Sequence, residues 1–376
     1  MTRMLASVAG PDEAAVALAG GADVIDLKNP HDGALGAVVP DVVRATVARV
    51  AGRREVSAVA GNLPVTPDAV LPAVVALAEA GAEWVKLGLF PGGDPAATLR
   101  ALAPLAARVR LVAVLFADRD PDFSILPALA AAGFAGAMLD TAGKLGGRLL
   151  THCDLPELAR FVALCRAHDL FCGLAGQLEP PDVPRLLPLQ PGLLGFRSAL
   201  CAAGRAGPID IERVRLIRAL IPPEAGAGTA AAADWRLLAR GYAPARPGEA
   251  TPTDRVFVRE LVLPVRIGAY AHEHDKPQRV RFDVTLQVAR PVANGRVVPV
   301  RDLRDIYSYD IIGDGIRMLV ASGHVDLVET LAEQIAALLL ADPRVVSAAV
   351  EVTKLETGSG AVGVAIERSR DALPPS

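Results

Sequence analysis

The chain has 376 residues, 52% hydrophobic and 22% charged, with a formal net charge of −3. That length exceeds one ordinary domain and suffices for two with substantial cores. The near-neutral balance gives no electrostatic footprint for nucleic acid or a membrane surface, so small molecules are the expected partners.

Four cysteines (Cys153, Cys165, Cys172, Cys201) lack the paired spacing of a zinc site and read as buried, reduced thiols. The start, MTRMLASVAG, lacks a long apolar core for export, and no later apolar run is long enough to span a bilayer. A cytoplasmic location is expected.

Eight short apolar runs come first: 5–9, 22–28, 55–61, 84–90, 110–118, 136–142, 170–176 and 193–200. Alanine-rich helical stretches such as PDEAAVALAGG and PDAVLPAVVALAEAGA separate them. This alternation predicts parallel strands with helices outside, and eight units predict a closed (β/α)₈ barrel of the TIM type over residues 1–220. The turns AGGAD, AGAE and AAGFAG repeat one helix stop, with glycine supplying a left-handed residue. An open doubly wound sheet is the rival, but no G-x-G-x-x-G follows the first strand. Residues 221–253 read as a flexible, proline-marked linker with a short helix over 234–242. Beyond it, 280–290, 348–356 and 361–368 alternate with period two, and helices are expected over 303–321 and 326–341. This pattern predicts an α+β domain over 254–371, an antiparallel sheet with helices on one face.

Charges inside the apolar strands carry the chemistry. Asp26 and Lys28 stand two apart, so both face the interior with Val24, where an unpaired charge is costly. Lys86 lies within WVKLGLF, Asp140 ends GAMLD, and Lys144 follows in the loop. A buried ion pair explains any one of them; together, near corresponding strand ends, they point to one cavity. A lysine attacks a carbonyl only when neutral, and desolvation and a second lysine both lower its pKa. A carboxylate alongside orients the amine and relays protons. Two carboxylates with two lysines make a poor metal site. The glycine-bearing loops GLAGQ, with Gly176, and GFRSA, with Arg197 and Ser198, leave strands seven and eight, where barrels often hold phosphate. Arg205 is a weaker candidate.

VIDLKNP, VKLGLF, LDTAGK and GFRSALC, in that order, resemble (5-formylfuran-3-yl)methyl phosphate synthase over about residues 4–220. The resemblance implies condensation of two glyceraldehyde 3-phosphate molecules, with loss of one phosphate and water, to a furan precursor of methanofuran. It implies Lys28 as the Schiff base, Lys86 as acid/base, Asp26 and Asp140 as aids to proton transfer, and Lys144 as a substrate contact. Asp26 and Lys28 are then expected to form a working pair. A different Schiff-base aldolase acting on another sugar phosphate is the alternative.

GAYAHEHDKPQRVRFDV, IYSYDII, LVETLAEQIAALLL and VEVTKLE resemble dihydroneopterin aldolase over about residues 254–370. That implies the tunnelling fold, homo-oligomers with pterin sites between subunits, and retro-aldol cleavage to 6-hydroxymethyl-dihydropterin and glycolaldehyde. Neither metal nor cofactor is implied, because the pterin ring accepts the electrons. By position, Glu329 would grip the pterin, Lys354 and Tyr309 would transfer protons, and Glu273 would position ring or water. Other readings stand beside these: Asp326 to Glu329 as a capping box, Glu273 as a solvated charge, Tyr309 as core. The triplet His272–Glu273–His274 is not expected to bind metal, since adjacent loop residues rarely present three ligands. The family usually follows its lysine with proline, whereas Leu355 and Glu356 follow here. An oligomerisation module without activity is the alternative. Furan and pterin products both feed one-carbon carriers, methanofuran and tetrahydromethanopterin, which would make a bifunctional fusion coherent.

Overall fold

A computed structural model describes residues 2–143, 146–202, 204–221, 252–269, 273, 276–293, 296–300, 303–356 and 360–370. The backbone forms two compact units, 1–233 and 234–376. Lys144, His272, His274 and the expected helix over 234–242 lie outside the described residues.

In the first unit, β1 (Arg3–Val8), β2 (Val24–Leu27), β3 (Glu55–Val59), β4 (Trp84–Gly88), β5 (Arg110–Phe116), β6 (Gly136–Asp140), β7 (Phe171–Leu174) and β8 (Leu193–Phe196) close a barrel in chain order. All neighbours are parallel, and β8 returns to β1. The intervening helices start where proline is tolerated: Pro11, Pro40, Pro67 and Pro95 each open one, at a position whose N–H has no partner within the helix. The repeated stop is real. Gly21, Gly81 and Gly133 have φ of +94°, +97° and +80°, and the next residue donates back across the last turn to Ala17, Leu77 and Leu129.

Period-two alternation fills the barrel with Leu5, Val24, Trp84, Val112, Met138 and Leu193, one buried cluster. The N-terminal strand ends are closed by Glu55, which pairs with Arg3 at 2.6 Å and with Arg110. Both guanidiniums lie over Trp84, at 5.2 and 5.4 Å from its ring centre. With that end stitched shut, the opposite end is left for chemistry.

The second unit is a four-stranded antiparallel sheet in the order β14 (Val362–Ser369), β13 (Val345–Lys354), β10 (Gln278–Ala289), β9 (Thr253–Val265). A small hairpin, β11 (Val292–Ala293) with β12 (Arg296–Val297), stands apart. Helices Asp310–Ala321 and Val328–Leu340 cover one face. Ile312, Ile316, Leu331 and Ile335 there share a core with Val280, Phe282, Val284 and Leu286 of β10.

Two sequence expectations change. Strand β9 was not foreseen, because its alternation slips phase: Val256 and Val258 pack on the core, then Leu261 and Leu263. The slip is a bulge at Glu260, with φ of +55°, where the register with β10 shifts. The first helix begins at Asp310, not near 303, where only a short 3₁₀ turn, Leu303–Asp305, forms. Ser308 accepts from the Asp310 N–H just ahead of the helix start. Among the described residues no helix is long and apolar enough to cross a membrane.

Candidate active sites

The C-terminal end of the barrel holds one cavity lined by Lys28, Lys86, Asp140, Gly176, Ser198 and Arg205, with Ser7 and Arg197 also on its wall. Lys28 directly follows β2, Lys86 lies within β4 and Asp140 ends β6, so three strands converge. Asp26 sits beneath, fully buried in β2.

Pairing differs from the expected Asp26–Lys28 couple. The Asp26 Oδ2 accepts from Lys86 Nζ at 2.7 Å and from Ser7 Oγ at 3.1 Å. Lys28 belongs to no salt bridge among the described residues. The reason is register: Asp26 and Lys28 share a face but stand at successive levels of the barrel, and Asp26 meets the lysine reaching it from β4. Thus one lysine is held in a salt bridge and the other has none among the described residues.

Burial lowers the Lys28 pKa from 10.5 to about 7. Asp140 and Asp26 oppose that shift, while Lys86 and Arg205 add to it. Desolvation therefore outweighs the neighbouring lysine, the other cause that the sequence suggests. Asp118, after β5, accepts from the N–H groups of Ala142 and Gly143 at 2.7 and 2.6 Å, fixing the start of the loop after Asp140.

Arg197 corrects a second expectation. Its guanidinium is saturated by the protein: Nε donates to Arg205 O, Nη1 to Ser7 O and Glu13, and Nη2 to Glu13 and Gly207 O. All five N–H groups are used, so Arg197 braces the wall and has no donor left for a substrate phosphate. Gly176 keeps its expected place, with φ of +115° that suits glycine. Ser7 and Glu13 were missed from sequence. The signal for Ser7 was a lone hydroxyl in an apolar strand, in register with Asp26.

In the second unit Lys354, the last residue of β13, pairs with Glu273, and both side chains are nearly buried. Gln278 holds the same carboxylate, Nε2 to Oε1 at 3.0 Å, and donates to Ile267 O at 2.7 Å. Sequence reasoning missed Gln278. The reading of Glu273 as a solvated charge is set aside. Gly268 makes room for it: a Cβ there would come within 2.0 Å of Glu273 Oε2. Tyr309 is 64% exposed, so it is not core, whereas Tyr307 is buried. Glu329 is exposed in the first turn of its helix. The capping box does not form: the cap residue is Leu327, without a side-chain bond, which leaves the Glu329 carboxylate without a capping role. After Lys354, the Leu355 N–H donates to Arg279 O at 2.9 Å, a ladder bond that proline cannot make. Glu356 folds toward the Arg279 N–H at 3.4 Å.

Comparison with known proteins finds a match for each unit. A family model described as 4-HFC-P synthase matches residues 4–218, and one described as dihydroneopterin aldolase matches 256–367. A Methylorubrum extorquens protein provisionally named (5-formylfuran-3-yl)methyl phosphate synthase is 47% identical over 213 residues, covering 56% of this chain and 88% of its own. The (5-formylfuran-3-yl)methyl phosphate synthase of Methanopyrus kandleri is 36% identical over 215 residues, 54% of this chain and 90% of its own. The E. coli dihydroneopterin aldolase solved with neopterin is 29% identical, with a TM-score of 0.27, over 31% of this chain and 99% of that one.

Proposed function

Because the chain belongs through residues 4–218 to the 4-HFC-P synthase family, we propose that its barrel condenses two glyceraldehyde 3-phosphate molecules to (5-formylfuran-3-yl)methyl phosphate through an imine on Lys28. One observation carries this reading: a buried lysine with a pKa near 7 and no salt bridge among the described residues shares a cavity with Lys86, which Asp26 holds in a salt bridge. The neutral amine adds to the substrate carbonyl, water leaves, and the resulting iminium acidifies the neighbouring C–H. Lys86 and Asp140 line the cavity and move protons during carbon–carbon bond formation and the eliminations, while Asp26 holds Lys86. Lys144 contacts substrate, as the family resemblance implies. Borohydride trapping with the triose phosphate, then peptide mapping, tests the assignment. The label belongs on Lys28 and a furan chromophore in the near ultraviolet accompanies turnover; a label elsewhere overturns the roles. Failure to form the furan favours a different sugar-phosphate aldolase.

The second unit is assigned retro-aldol cleavage of 7,8-dihydroneopterin. The Lys354–Glu273 pair, held by Gln278, supports it. Lys354 passes the proton and the pterin ring stores the electrons, so no bound cofactor is invoked. Tyr309 and Glu329 are exposed within one chain, which fits a site completed by a second copy in a homo-oligomer. The protein then works in the cytoplasm on triose phosphate and dihydropterin, serving methanofuran and tetrahydromethanopterin. Lys354→Ala is expected to lower dihydroneopterin turnover by about 10²-fold or more, measured by release of glycolaldehyde. A wild-type protein that binds but never cleaves the pterin would leave the second unit as an assembly module.

A further inference from the structure

We propose that Arg205 is the side-chain anchor for the phosphate of the triose that reacts at Lys28, a specificity-determining role that rests on the imine chemistry above. Arg197 and Arg205 both line the cavity, but they differ in what their donors already do. Arg197 has none to spare. Arg205 spends two N–H groups, Nε on Pro30 O at 3.4 Å and Nη2 on Gly33 O at 3.0 Å. Both acceptors belong to the loop after β2, the loop that Lys28 opens. The other three N–H groups, including both on Nη1, have no acceptor among the described residues, and Arg205 enters no salt bridge there.

A half-buried guanidinium that feels the Asp140 charge but enters no salt bridge among the described residues is less favourable in the empty pocket than with an anion at its free donors. A planar fork with two free donors on one nitrogen and one on its neighbour matches phosphate oxygens. Of the other cations on the wall, Lys28 is the group that reacts and two have carboxylate partners. Lys86 is neutralised by Asp26 and Arg197 by Glu13. The Ser198 hydroxyl, on the same wall, has no protein partner among the described residues and supplies a neutral donor. None of the N–H groups of Gly176, Gln177, Ser198 and Ala199 donates to a backbone carbonyl among the described residues. An anion between Arg205 and these groups would lie across the cavity mouth, with its attached carbon chain directed inward to Lys28.

Glycerol 3-phosphate, which carries the phosphate but no carbonyl, tests the site apart from imine formation. Calorimetric titration of the full-length protein should show Arg205→Met weakening its binding about ten- to a hundredfold, with Arg205→Lys in between. In borohydride trapping, Arg205→Met should raise half-saturation for glyceraldehyde 3-phosphate by the same factor, with the loss confined to the phosphorylated triose. At pH 9, where the Lys28 amine is neutral with or without the Arg205 charge beside it, unphosphorylated glyceraldehyde should label Lys28 equally in both proteins. Unchanged glycerol 3-phosphate binding in Arg205→Met would overturn the proposal, as would equal loss of trapping for both aldehydes. If the wild type binds glycerol 3-phosphate through Arg205 yet traps no triose, the anion site stands and the imine reading falls.

Discussion

Lys28→Met is expected to abolish imine trapping and furan formation while raising the thermal stability of the barrel at pH 7. The two effects share a cause. Burial brings the Lys28 pKa from 10.5 to about 7, so roughly half the amine is neutral at pH 7 instead of about one part in three thousand. The native state therefore binds the proton less tightly than the unfolded chain. Wild-type stability rises with pH from about 7 to 10.5, and the penalty is about 4 kcal/mol at pH 7 and about 5 kcal/mol once fully present below it. Methionine, close to lysine in shape but uncharged, removes it. The same titration sets the activity profile: imine formation falls about tenfold for each pH unit below 7 and levels off above it. Differential scanning calorimetry at pH 7 and trapping rates from pH 5.5 to 9 measure both. A variant less stable than wild type, or a trapping rate still climbing steeply at pH 9, would show that the amine is not desolvated as described.

The second large effect concerns the pair beneath the cavity. Asp26 and Lys86 have side-chain exposures of 0% and 5% and meet at 2.7 Å. Asp26→Leu strands the ammonium, and Lys86→Met strands a carboxylate that keeps only Ser7 as donor. Each single change is expected to cost about 3–5 kcal/mol, because an uncompensated buried charge remains. Each should also lower furan formation by about 10²–10⁴-fold through lost proton transfer. The double variant Asp26→Leu/Lys86→Met strands nothing, so it should recover most of the stability and none of the activity. Urea unfolding of the four proteins should then give a coupling larger than either single loss, about 5 kcal/mol or more. Additive losses in the double variant would mean that Asp26 and Lys86 are not coupled.

Much of this was legible in the residues. Eight apolar runs of strand length, punctuated by helices ending in Gly21, Gly81 and Gly133, specify a parallel barrel through local preferences alone. Asp26, Lys28, Lys86 and Asp140 declared themselves because an apolar strand seldom carries a charge it does not use. In the second unit β10 kept one phase from end to end, and β13 kept one from Ala348 to Val352, so both could be read; β9 could not, because the bulge at Glu260 moves its apolar residues from even to odd positions.

Sequence spacing tells which face a side chain takes, since that follows from the two-residue repeat of a strand. It does not tell which partner waits across the interior. Asp26 bonds to Lys86 of β4 rather than to Lys28 two residues away. Glu13, from the helix after β1, pairs with Arg197 just past β8, and Arg205 is left with no salt bridge among the described residues. Those choices depend on the stagger of strands around a closed barrel and on the removal of water from its core. Both arise only when segments far apart in the chain are brought together.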